Sequence, residues 1–150
     1  MLDTFYIIIT AILATTLMTA FSYFLSYMMR KQFKEPELLN KLLSRLHVIG
    51  SSTVEINPLG WFIHYTVGII FIMFYEIIWA TTSISPTLGN FVFIGGLFGI
   101  VAIITWAIVF RIHPRPPKVD ILWYFAQLFV AHIIFGMGAF WGTSLFGHSG

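Results

Sequence analysis

Apolar positions in this chain neither alternate nor keep to one stripe; they run on, almost unbroken, in four long stretches. These cover residues 5–28, 61–83, 91–110 and 121–146, and none contains a lysine or arginine. Each is close to the roughly 20 residues needed to cross about 30 Å of hydrocarbon as a helix. Between the first two the pattern changes. Leu38, Leu39, Leu42, Leu43 and Leu46 recur at helical spacing, with Lys41 and Arg45 off that stripe. Glu35-Pro36-Glu37 precedes them, with proline suited to a first helical turn and acids near the positive end of the helix dipole. The expected fold is therefore all-α: one membrane domain over 1–150, a bundle of four transmembrane helices. An amphipathic helix at about 36–48 lies on the membrane surface in the first cytoplasmic connection. Docking of its leucines on the bundle or on a partner is the alternative.

Composition agrees with this reading. Of the 150 residues, 58% are apolar and 9% charged, against roughly 25% charged in soluble domains. A soluble domain of this size still exposes about a third of its unfolded surface, which this composition cannot supply with polar groups. Disorder and nucleic-acid binding through a basic face are excluded on the same grounds. With no cysteine, disulfides, thiolate metal sites and cysteine catalysis drop out together.

Charge orients the bundle. The basic residues are Arg30, Lys31, Lys34, Lys41 and Arg45 after the first run, and Arg111, Arg115 and Lys118 after the third. The turn at 83–89 and the tail at 147–150 carry none. The positive-inside rule places both basic connections in the cytoplasm and both termini outside, in a plasma or bacterial inner membrane. The first run lacks a basic leader and is too long for a signal sequence, so it is expected to stay as an uncleaved span. Lipid is the obligatory partner, and copies of the chain or other membrane subunits are the expected protein partners.

Ser85-Pro86 and Gly89-Asn90 bracket a short turn, and the segment His113-Pro-Arg-Pro-Pro117 forces an extended link. Small residues mark close helix crossings in lipid. Gly95, Gly96 and Gly99 of the third span and Gly136, Gly138 and Gly142 of the fourth sit at matching depth. They are expected to meet, with Ala11, Ala14 and Thr15 of the first span close to that depth, pinching the outer end. Phe21, Phe24, Trp106 and Phe110 prop the inner end open.

Ionisable groups inside spans are functional candidates. Glu76 and His132 lie at similar depth near mid-bilayer and are expected to form a site for a proton, ion or small ligand, with Tyr65 on the same face as Glu76. A rival reading uses His132 and His64, each followed by glycine four residues on, as ligands of haem b, or as a quinone site in a redox subunit. Against it stands a depth difference of about 9–12 Å between the two histidines. His47, His113 and His148 are expected to be solvated, and Asp3, Glu35, Glu37, Glu55 and Asp120 to lie near water. No metal-ligand cluster, nucleophile motif, phosphate loop or dinucleotide fingerprint occurs. The leading expectation is a non-enzymatic membrane subunit with an intramembrane polar site; a proton-coupled carrier or channel comes third.

Overall fold

The computed structural model describes residues 4–48 and 57–147; Asp3, Glu55 and His148 lie outside them. Those residues form five helices and no strand. They are α1 (Thr4–Met29), α2 (Glu35–Arg45), α3 (Pro58–Thr81), α4 (Leu88–Ile112) and α5 (Ile121–Phe146). All but α2 are long and apolar enough to cross a membrane. The helices overrun some of the apolar runs because their ends are capped by polar neighbours. Asn57 accepts from the Leu59 amide at 2.9 Å with Pro58 in the first turn, and Thr87 accepts from the Asn90 amide at 3.3 Å.

α5 is the central helix. It packs along α1 on one side and α4 on the other, while α3 packs on α1 and meets α4 only sparsely. The glycines of α5 explain this, with a correction to the expected pairing. Gly136 faces α4, where a Cβ on Gly95 would stand 3.2 Å from the Gly136 Cα. Gly138 and Gly142 instead face α1, against Ala14 and Thr10. At about 100° per residue, positions 136 and 138 point to nearly opposite sides of the helix. One run of small residues therefore serves two neighbours. Phe24 is also not a prop within the bundle, because it is exposed on the outer face.

α2 closes the basic end of the bundle. Leu38 is buried in a cluster with Phe33, Tyr124 and Leu128, and Leu42 is buried as well, whereas Leu46 is exposed. Asn40 fastens the helix to the start of α3. Its Nδ2 donates to Asn57 O at 2.8 Å, and its Oδ1 accepts from the Gly60 amide at 2.8 Å. Gly60 is needed there, because a side chain would run into the Pro36 carbonyl and Asn40.

His113 departs from the solvated position expected of it. It is buried, and its Nε2 donates to Leu42 O at 3.2 Å, tying the α4–α5 link to α2. Arg45 reaches the same link, donating to Arg115 O at 2.9 Å. Lys31 pairs with Asp120 at 2.5 Å, which holds that carboxyl below its ordinary range. The two basic connections thus meet at one end of the molecule.

A candidate ligand cavity with a polar wall

α3 and α4 are joined firmly only at the end away from the basic connections. There the rings of Phe71 and Phe98 stack with centroids 4.4 Å apart, and Tyr75 donates to Phe91 O at 2.6 Å. Towards the basic end the two helices part. The space between them, backed by α1 and α5 and floored by α2, is a cavity of 420 Å³. Its walls are mostly apolar. Val67 and Ile70 of α3 and Val101 and Thr105 of α4 line it and are also exposed on the outer surface. The cavity therefore opens sideways, between α3 and α4, on the face a spanning bundle turns to lipid.

Besides Thr105 at the mouth, four polar side chains interrupt this apolar lining: His132, His64, Thr15 and Glu35. Both histidines are buried. His132 Nδ1 donates to Leu128 O, one helical turn back, at 2.8 Å. Its ring stands edge-on to Phe71, and Gly95 and Gly99 of α4 come close to its carbonyl oxygen and its Cβ respectively. His64 Nε2 meets Thr19 Oγ1 at 2.9 Å. α3 begins at Pro58 rather than Trp61, which sets His64 about a turn deeper than the apolar run implies. The cavity takes in both rings despite their remaining offset along the bundle. Thr15 Oγ1 is buried and has no hydrogen-bond partner among the described residues.

Glu35 corrects the expectation that the loop acids lie near water. It is 2% exposed. Its Oε1 accepts from Gln127 Nε2 at 2.7 Å and from Ser22 Oγ at 3.1 Å, while Oε2 is buried without a partner among the described residues. The nearby ammonium of Lys34 is drawn to Glu37 instead, at 3.1 Å. Burial is the dominant influence on Glu35 and pushes its pKa from about 4.5 up to about 7; the two donors only partly oppose it. The carboxyl is thus poised to carry or release a proton near neutrality.

The expected Glu76–His132 pair is not brought together. Glu76 accepts from Tyr6 at 2.8 Å, and the same phenol oxygen meets Thr143 Oγ1 at 2.9 Å, at the end of the bundle away from the cavity. Tyr65 lies apart from both, with its hydroxyl 2.9 Å from Thr16 Oγ1 in an exposed contact. Buried polar residues around the cavity that sequence alone did not offer as site residues include Gln127, Thr15, Thr19 and Ser22, and Glu35, which was expected near water. A signal for part of this set exists: Thr15, Thr19, Ser22 and Ser26 recur every three or four residues, a polar stripe on an otherwise apolar span.

Among the described residues no group of three histidine or acidic side chains is placed to hold a metal ion. No family model, curated protein or solved structure matches this chain.

Proposed function

We propose that this chain is a non-enzymatic, multi-pass membrane protein that holds a small lipid-soluble molecule in the cavity between α3, α4 and α5. In this reading its basic end faces the cytoplasm of a plasma or bacterial inner membrane, and it works as a subunit of an oligomer or larger membrane complex. One observation carries the proposal: an apolar cavity of 420 Å³ with a few converging polar groups, His132, His64, Thr15 and Glu35. That size falls within the roughly 300–1,000 Å³ of small-molecule sites, and an apolar lining with sparse polar groups is their usual chemistry.

Trp106 lines the cavity and supplies a reporter. A brominated fatty alcohol added to the protein in lipid nanodiscs should quench Trp106 fluorescence saturably. Trp106→Phe should remove that component, and Thr105→Phe, which narrows the mouth, should weaken binding about tenfold. Quenching that rises linearly with probe and ignores Thr105→Phe would reduce the cavity to a packing defect.

A second reading is favoured by the anchoring of His132. An imidazole whose Nδ1 is held by a backbone carbonyl has its Nε2 directed for metal ligation, as in many metal and haem sites. His64 could complete a bis-histidine haem site only by leaving Thr19 or by ligating through Nδ1. A Soret band in the purified protein, lost in His132→Leu, would move the assignment to haem.

A further inference from the structure

We infer that the cavity selects its ligand through a hydroxyl that the ligand donates: a lipid-soluble phenol, hydroquinone or alcohol, in preference to the matching ether or quinone. This deepens the proposed function and rests on the cavity being a binding site.

Donors and acceptors along the polar wall fix the direction of each hydrogen bond. Thr19 Oγ1 lies 2.6 Å from Thr15 O, and since a carbonyl oxygen only accepts, the hydroxyl proton is committed there. Thr19 Oγ1 can then only accept from His64 Nε2, 2.9 Å away, so that nitrogen carries the ring proton. The lone pair of a neutral His64 is left on Nδ1. His132 follows the same logic. Its Nδ1 faces Leu128 O at 2.8 Å and must donate, which leaves the lone pair on Nε2. No carboxylate lies within ion-pair reach of either ring among the described residues, so neither ring has the partner a buried charge requires.

Two buried imidazoles lining the cavity, one from α3 and one from α5, therefore each keep an acceptor nitrogen with no hydrogen-bond donor among the described residues. Thr15 Oγ1, buried and unpartnered, adds a group that can serve as either donor or acceptor. An occupant with carbonyl or ether oxygens alone leaves both imidazole acceptors unpaired. A hydroxyl-bearing one pairs at least one of them, and sites built to bond a hydroxyl discriminate strongly against analogues that lack it. The mouth between α3 and α4 is bordered by exposed Val67, Ile70 and Val101, so the apolar tail of such a molecule can extend into the bilayer from which it arrives.

The test compares para-nonylphenol with its methyl ether, which has the same ring and tail but no donor. Each is titrated into the unaltered protein in nanodiscs, with the saturable change in its tryptophan fluorescence as readout. The phenol should bind at least about tenfold more tightly. His132→Phe should erase that preference while leaving the ether's affinity within about threefold. Equal affinities, or a tighter ether, would overturn the donor inference and leave the cavity a ligand site. Saturable binding of neither compound would overturn both. The comparison of two ligands on one unaltered protein does not depend on any variant folding.

Discussion

Gln127 Nε2 donates to Glu35 Oε1 at 2.7 Å, joining the second turn of α5 to the first residue of α2. The bond crosses between elements far apart in sequence and gives one oxygen of a carboxyl buried in an apolar floor a donor. Ser22 of α1 completes the contact, so one carboxyl ties three helices together at the base of the cavity. Removing either donor leaves a buried group short of a partner, which costs more than the bond itself contributes.

Stability should therefore follow the ionisation of Glu35. A carboxyl raised from about 4.5 to about 7 on folding favours the folded state most when protonated. Between those values the unfolded chain has released its proton while the folded one retains it. Stability thus falls as pH rises from about 4.5 to 7 and levels off above. At about 1.4 kcal/mol per unit the loss is about 3 kcal/mol. Thermal unfolding in detergent should show a lower midpoint at pH 8 than at pH 5, and Glu35→Gln should flatten that difference. An unchanged slope in the variant would assign the titration elsewhere.

The glycine contacts predict a graded series. A Cβ at Gly95 would stand 2.6 Å from His132 O, and one at Gly138 would stand 2.8 Å from the Ala14 Cα, both backbone atoms that cannot swing aside. Gly95→Ala and Gly138→Ala should each cost roughly 1–3 kcal/mol by overpacking. Gly89, in the first turn of α4, has nothing within 4 Å, and Gly89→Ala should be neutral or stabilise by up to about 1 kcal/mol. Midpoints of thermal unfolding rank the three. Equal tolerance would mean that α5 is not held between α1 and α4 as described.

The spans were legible because an uninterrupted apolar run over 20 residues has few other fates, and the caps at Asn57 and Thr87 account for the two largest displacements of the long helices' ends. Glu35 was not legible, for a geometric reason. Arg30 takes a left-handed backbone (φ 52°), and Ser26 bonds both the Lys31 carbonyl and the Phe33 amide. The connection thereby folds back over the end of α1 and carries Glu35 onto Ser22. A charge in a loop defaults to water unless such a reversal is foreseen. The Glu76–His132 pairing failed differently. Depth along a span can be counted, but which helix a side chain faces depends on bundle order, and α5 turns its glycines to both neighbours.

Tyr6 and Glu76 should be coupled energetically, and Glu76 and His132 should not. Tyr6→Phe removes the donor that Glu76 accepts from at 2.8 Å. A double-mutant cycle with Glu76→Gln should return a coupling of about 1 kcal/mol. The cycle pairing Glu76→Gln with His132→Gln should add within about 0.5 kcal/mol, as expected for separate sites. Strong coupling in the second cycle would bring the two groups back into one site.

Orientation is open to a direct measurement because the chain has no cysteine, so each introduced thiol reports alone. Ser85 lies in the exposed α3–α4 turn, and Arg115 lies exposed in the α4–α5 link among the basic residues. Since the basic connections meet at one end of the bundle and that turn lies at the other, the two positions lie on opposite sides of any membrane the helices span. With the basic end cytoplasmic, Ser85→Cys should react with a membrane-impermeant maleimide on intact cells, and Arg115→Cys only after permeabilisation. The reverse pattern would invert the bundle without disturbing its packing. Labelling of both in intact cells would mean that α4 does not cross the membrane.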